Sequence, residues 1–377
     1  MKLHHERLRE LTAAIFQAAG CQSTEAERIA AHLVEANLVG HDSHGVIRVA
    51  PYVQWLRAGK VLANRTLQVV FENEVIAVVD GQFGFGQTIG EQAMRLGIEK
   101  SARHGVAVIA LRNSGHLGRI GDWPLQAAQA GKLSLHFVNT TGAGILVAPH
   151  GGINRRLSAN PIAAGIPIPS GPPLLLDMSA CTLAEGKIRV ALNQGVSVPA
   201  NCLIDAAGRP TTDPKVFYAD PPGAILSSAG HKGYGLAVLC EVLAGALTGG
   251  GCSNPVNADR VVNGMLSIIL DGSCFQTDAV FAAEINRFIA WVKSSATAMP
   301  DGEILLPGEP EERTKARRLR EGIDLDDTTL AQLLDTAWAV GLGEPTSQTH
   351  GRGAISEPIS GTSPNSSRRG ITWAPQL

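Results

Sequence analysis

Glycine constrains this chain more than any other residue. Of 377 residues 42 are Gly, about 11% against a usual share near 7%. Aromatic residues are few: five Trp, three Tyr and nine Phe. A core on these terms is built from small aliphatic side chains, with close backbone packing and many tight turns, as in α/β enzymes. The formal charge of −2 lacks the basic excess of a nucleic-acid binder. Six cysteines, none spaced C-x-x-C, disfavour zinc ribbons and thioredoxin-like motifs, and are too few for a disulfide scaffold in so long a chain. The first residues, MKLHHERLRELTAAIF, hold no apolar stretch of the secretory type. Gly235–Ala246 is short and carries Glu241, which suits a buried helix better than a membrane span. A reduced, cytoplasmic protein without membrane or nucleic-acid partners is expected.

Hydrophobic spacing divides the chain. Leu8, Leu11, Ile15, Phe16 and Ala19 recur at helical spacing, and Gly20 is placed to stop the helix. Thr24 to Glu27 fits a capping box for a second helix, with Ile29, Leu33, Ala36 and Val39 inward and its end at Gly40. A third helix is expected over Arg48–Gly59. From about residue 67 the period shortens. Gln68–Phe71 and Val75–Asp80 read as strands of a hairpin, followed by a Gly-rich loop at Gly81–Gly90 and a helix at Glu91–His104. Strands are expected at Val106–Leu111, Leu133–Val138, Ala163–Ile168, Leu174–Asp177 and Ser267–Leu270, and helices at Tyr234–Gly245 and Thr277–Val292. This mixture implies an α/β or α+β core. From Pro345 to Leu377, 18 of 33 residues are Gly, Pro, Ser or Thr, and a disordered tail is expected there.

One stretch imitates a dinucleotide fold. The strand Val75–Asp80, the turn from Gly84 to Gly90, a helix and a second strand ending before Arg112 copy its order. The spacing is G-x-G-x-x-x-G rather than G-x-G-x-x-G, some 70 residues of helix precede it, and no second half follows. A structural glycine turn is the better reading.

Three loops carry chemistry. His41-Asp42-Ser43-His44-Gly45 offers a proton donor near neutral pH, with Arg48 a turn further as a planar fork for a carboxylate. The alternative is a capped loop of solvated histidines. No third ligand completes a metal set around His41 and His44. Asn113 to Asp122 follows a buried strand and holds Ser114, His116 and Arg119 among glycines, where α/β enzymes place ligands. Gly230-His231-Lys232-Gly233 opens a helix, whose N–H groups and Lys suit an anion. Surface turns and a plain helix start are the competing readings.

These loops sit in an ordered set of motifs: HDSHGVIR (41–48), NSGHLGRIG (113–121), NP (160–161), DMS (177–179), GHKGYGL (230–236) and LLPGE (305–309). Over about residues 5–343 the chain resembles the type-2 malate/L-lactate dehydrogenase family. The resemblance implies a non-Rossmann α/β fold, with a central mixed-sheet cofactor domain and helical segments from both chain ends. It implies one dehydrogenase unit over residues 1–344: about 1–75 and 277–344 mainly helical, about 76–276 containing the cofactor-binding domain. It implies NAD or NADP as cofactor, a 2-oxo or 2-hydroxy acid as small-molecule partner, and a homodimer. Catalytic positions fall on His44 and His116, with Ser43 or Asp42 orienting His44, and the carboxylate-binding arginine on Arg48. Cofactor positions fall on His44, Gly118, Arg119 and Ile120, on Leu175, Leu176, Asp177, Met178 and Ser179, on His231 and Lys232, on Asn263, and on Pro307, Gly308 and Glu309. No metal is implied. Two stretches depart from the family pattern, Ser158-Ala159-Asn160-Pro161 and Ser179-Ala180-Cys181.

The expected reaction is reversible hydride transfer to the C2 carbonyl of a 2-oxo acid. A cyclic ketimine reductase of the same family shares the motifs. A pyridoxal enzyme using Lys232 and a non-catalytic binding protein are the remaining alternatives.

Overall fold

The computed structural model describes residues 2–169, 171–255 and 260–343. The tail from Pro345, expected to be disordered, lies outside the described residues.

The chain begins with a short strand, β1 (Lys2–Leu3), then α1 (His5–Ala18) and α2 (Ser23–Leu38). Gly20 takes φ +112 between the helices, a conformation that ends α1 as its position predicts. The capping box does not form. The second helix starts at Ser23 with Gln22 at its N-cap, so Thr24 already lies inside the first turn. Ser23 Oγ instead donates to Glu27 Oε1 at 3.0 Å, and Glu25 is buried, accepting the Asn64 N–H at 2.6 Å.

Two 3₁₀ turns, Asp42–His44 and Val46–Arg48, lead into α3 (Val49–Arg57). The hairpin follows as β2 (Gln68–Glu72) and β3 (Ile76–Asp80), paired antiparallel. The next helix, α4 (Gly86–His104), starts before the expected Glu91. Half of the supposed glycine loop is therefore helix. A Cβ on Gly86 would lie 2.2 Å from the His116 carbonyl oxygen, and one on Gly90 2.6 Å from the Trp123 ring. These glycines let the helix press on its neighbours and leave no open phosphate turn.

Then come β4 (Val106–Ser114), α5 (Asp122–Gln129), β5 (Leu133–Gly142), β6 (Ile162–Ile166), β7 (Leu174–Met178) and α6 (Glu185–Gln194). A small sheet of β8 (Leu203–Ile204), β9 (Pro210–Thr211) and β10 (Ala224–Ile225) precedes α7 (His231–Cys240). The expected helix to Gly245 instead widens into a π-helix at Glu241–Ala246. It carries Glu241, 6% exposed, whose carboxylate accepts from Asn139, Asn160 and both the N–H and hydroxyl of Ser253. The described residues continue through β11 (Val261–Leu270), α8 (Asp278–Lys293), α9 (Glu309–Glu321), β12 (Ile323–Asp324) and α10 (Asp327–Ala339).

The fold is α/β with a mixed seven-stranded sheet in the order β2-β3-β4-β11-β5-β6-β7. Its one parallel pair among the described residues is β3 with β4, joined by α4. All other neighbours are antiparallel. The alternation of parallel strands that a Rossmann unit needs is absent. β11 inserts between β4 and β5 from far along the chain.

The three largest apolar clusters make up most of the core among the described residues. The first joins α1, α2 and α3 to Ile323, Leu325, Leu333 and Ala337 from the other end of the chain. Antiparallel pairing of Leu3 with Ile323 closes the same junction. The second lies between the sheet and α4 and α5, with Ile89, Met94, Ile109, Leu111, Trp123 and Ile269. The third gathers Val147, Ile188, Leu203, Phe217 and Ile225 beneath α6. Each fully buried Ile or Leu contributes about 1.5–3 kcal/mol. No helix among the described residues is long and apolar enough to cross a membrane.

Candidate active site

A cavity of about 830 Å³ opens where these clusters meet. That size suits a cofactor-scale ligand. One wall is the loop between α2 and α3. Asn37, 1% exposed near the end of α2, holds this loop: its Oδ1 accepts the Val46 N–H at 2.8 Å and its Nδ2 donates to Asp42 Oδ1 at 2.6 Å. Gly45 has no side chain to give because a Cβ there would lie 2.2 Å from Asn37.

This loop sets His44 and Arg48 in the cavity wall. Ser43 Oγ lies 3.0 Å from His44 Nδ1. Asp42 does not orient His44. Its carboxylate faces outward to Arg318 of α9, at 2.6 and 3.0 Å, so it ties the loop to a distant helix. Arg48 Nε donates to the Ser43 carbonyl at 2.7 Å. No carboxylate among the described residues lies within ion-pair distance of Arg48, so its guanidinium is free to meet an anion.

The loop after β4 lines the cavity beside the loop between α2 and α3. His116 stands with its ring 5.6 Å from that of His44, the two planes 11° apart. Its Nδ1 lies 2.6 Å from the Tyr52 hydroxyl. Both imidazoles are neutral at neutral pH. Burial, then the charge of Arg48, pushes His116 down to about 3; the same two causes hold His44 well below its usual value. Burial pushes the Tyr52 phenol up to about 12, so it keeps its proton.

Beside them, Arg119 is 3% exposed and donates from Nη1 to Asp122 at 2.8 Å, while its buried Nε makes no hydrogen bond and lies 4.0 Å from the Asp177 carboxylate. Asp177 accepts the Gly121 N–H at 2.8 Å, and burial pushes its carboxyl above the usual range. Ile120, Val147, Ala159 and Pro161 give the cavity an apolar face beside these polar groups. A buried Arg119 N–H with no hydrogen bond, an apolar face and this volume fit a nicotinamide cofactor.

The sequence model of the malate/L-lactate dehydrogenase family matches residues 3–334. The chain belongs to this family. As a member it is an NAD(P)-dependent oxidoreductase. This dehydrogenase is 41% identical over 347 residues to hydroxycarboxylate dehydrogenase B of Escherichia coli strain K12, covering 91% of the chain and 95% of the relative. A solved Escherichia coli structure of the malate/lactate dehydrogenase type superposes with a TM-score of 0.87 at 40% identity, over 91% of this chain and 96% of that one. The structure of a Δ1-piperideine-2-carboxylate reductase from Pseudomonas syringae pathovar tomato gives 0.78 at 27% identity, over 89% and 100%.

Of the positions singled out in the sequence of this dehydrogenase, Asp42, Ser43, His44, Arg48, His116, Arg119, Ile120, Asp177 and Ser179 line the cavity. Gly118, Leu175, Leu176, Met178, His231, Lys232, Asn263 and Pro307–Glu309 do not. Asn263 is 2% exposed and committed to structure. Its Oδ1 accepts the Leu117 N–H at 2.8 Å, and its Nδ2 donates to Asn139 and Thr140. Leu175 donates its N–H to the Pro307 carbonyl at 3.0 Å, and Gly308 packs on it. Glu309 accepts from the Leu306 N–H and pairs with Lys293. His231 and Lys232 are exposed at the start of α7. There the N–H groups of Lys232 and Gly233 already bond to the carbonyls of Ala229 and Ser228, so this helix start offers fewer free donors than its sequence suggests.

Several site residues escaped sequence reading. Tyr52 lies one turn beyond Arg48 on α3, and that spacing could have revealed it. Gln87 was hidden in the supposed glycine loop. The far wall, with Glu185, Arg189, Phe217 and Tyr218, comes from α6 and the segment after β9, and no local motif announces it.

Proposed function

We propose that this dehydrogenase reversibly reduces 2-oxo acids to 2-hydroxy acids with NADH or NADPH. The observation that carries this reading is an unpaired guanidinium, Arg48, in one cavity with two facing neutral imidazoles. When bound, the cofactor supplies a hydride to the C2 carbonyl carbon. Arg48 binds the substrate carboxylate through a charge-assisted pair, which fixes the carbonyl beside the imidazoles. His44 and His116 hold its oxygen and supply the proton that the reduced oxygen needs, an effect on the order of 10²–10⁴-fold. Ser43 sets the His44 ring. A bound carboxylate also offsets the Arg48 charge, which raises both imidazoles toward the range of a proton donor.

Arg119, Ile120, Asp177 and Ser179 hold the cofactor from the cavity wall, with Gly118 shaping the turn between His116 and Arg119. Leu175, Leu176, Met178, His231, Lys232 and Pro307–Glu309 complete the proposed cofactor set from outside that wall. The proposed assembly is a cytoplasmic homodimer. Its support is α8, which buries no residue in one chain although Phe288 and Trp291 are apolar and 56% and 76% exposed.

The test is oxidation of NADH and of NADPH by the purified protein over pyruvate, oxaloacetate, 2-oxoglutarate, phenylpyruvate and piperideine-2-carboxylate. Turnover with an oxo acid is expected. A protein inactive on every oxo acid overturns the reading. Likeness to the piperideine-2-carboxylate reductase supports a second reading, reduction of a cyclic C=N bond, and preference for that member of the panel would select it.

A further inference from the structure

We infer that Gln87 and Tyr52 are positioning residues that fix His116 as the Nε2–H tautomer, a hydrogen-bond donor to the substrate oxygen, and leave His44 to carry the proton. The inference rests on the 2-oxo acid reading above and divides the labour between the two imidazoles.

The argument follows one chain of hydrogen bonds. Gln87 is fully buried on the first turn of α4. Its Nε2 lies 3.3 Å from the Tyr52 hydroxyl and 3.5 Å from the His116 carbonyl oxygen. Turning the amide over would set oxygen against that carbonyl, so the NH₂ group faces both. Gln87 therefore donates to Tyr52. The Tyr52 hydroxyl, on a residue 1% exposed, keeps one proton to give, and the acceptor in reach is His116 Nδ1 at 2.6 Å. A neutral imidazole that accepts at Nδ1 carries its hydrogen on Nε2. His116 lines the cavity, and no hydrogen bond from the described residues occupies its Nε2.

Packing makes this arrangement rigid. A Cβ on Gly86 would collide with the His116 carbonyl, and one on Gly118 would reach Gln87 Nε2 at 3.0 Å. The start of α4 is thus pressed against the His116 loop from two sides. Phe16, Phe85 and Trp55 surround the Tyr52 ring.

His44 is held differently. Its Nδ1 meets the Ser43 hydroxyl, which rotates and can either give or accept a hydrogen bond. Neither tautomer is imposed, so His44 can take up and release a proton while Ser43 follows. A neutral His116 fixed as a donor acts instead as an electrophile on the carbonyl, and releasing its last proton would require an imidazolate.

Glutamine separates the two roles, because its amide donates a hydrogen bond and carries no exchangeable acid proton. His116→Gln should lower kcat about tenfold, and His44→Gln on the order of 10²–10⁴-fold. The opposite ranking overturns the inference. Tyr52→Phe should lower kcat several-fold with the KM for the oxo acid unchanged. Histidine ¹⁵N spectra of the full-length wild type should show His116 protonated at Nε2, and Tyr52→Phe should give mixed tautomers. An Nδ1–H form in the wild type overturns the inference whatever the variants do. Failure of the functional reading is distinct: the wild type would then turn over no oxo acid, while the spectrum would still report the tautomer.

Discussion

Arg48 and His116 come from two separate loops that meet in one cavity, and the Arg48 charge helps hold the His116 imidazole neutral. The same guanidinium depresses His44. One residue thus binds the anion and tunes the proton chemistry. Arg48→Gln should raise the KM for 2-oxo acids about 10–100-fold, the worth of a charge-assisted pair of about 1.5–3 kcal/mol. It should also shift the alkaline limb of the kcat profile for oxo-acid reduction to higher pH, because without the neighbouring positive charge the proton-donating imidazole holds its proton to higher pH. Steady-state kinetics across pH checks both, and an unchanged KM would remove Arg48 from substrate binding.

Gly45 has an ordinary φ of −84°, so space alone demands glycine. Gly45→Ala would drive a methyl group into Asn37 and displace the loop that carries His44. The expected cost is about 1–3 kcal/mol. Thermal unfolding should report it, together with a fall in kcat larger than in neighbouring surface variants.

His136 sits on β5 with no exposure, its two ring nitrogens on Ser267 at 2.8 Å and Ser134 at 2.9 Å. Burial pushes it down to about 3 from an ordinary 6.5. Between these values the unfolded chain binds the proton and the folded chain does not, so stability rises with pH across that window. Acidification from about 6.5 to about 3 should therefore remove up to about 5 kcal/mol through His136, with His116 acting in the same direction. Urea unfolding at a series of pH values measures this slope. His136→Gln should flatten it, and an equal slope in the variant would exclude His136 as a source.

Exposed apolar residues on α8 predict a partner. Trp291→Glu combined with Phe288→Glu should convert a homodimer to monomer, read by sedimentation velocity. Dimers that persist unchanged would place the interface elsewhere.

Much of the site was legible in the sequence because its loops carry dense polar side chains between clear periodic elements. His44, Arg48, His116 and Arg119 are examples. Tyr52 was legible in principle from its spacing to Arg48. Gln87 was not, since Gly86 and Gly90 look like turn residues until Trp123 and the His116 carbonyl are found packed against them. Asp42 was misread for a related reason: adjacency in sequence suggested contact with His44, whereas Arg318, far along the chain, turns the carboxylate away. Asn263 looked like a ligand residue, and the fold commits it to the Leu117 N–H.

By itself the sequence determined the kinds of element, the loops that carry chemistry and the family, because side-chain spacing and motif order are local properties. Tertiary structure alone decided that the His44 and His116 rings stack side by side in one cavity. It also decided which nitrogen of His116 is committed to Tyr52. Both depend on non-local packing: α4 pressed on the loop after β4, and β11 inserted between β4 and β5. Periodicity along the chain carries no record of such contacts.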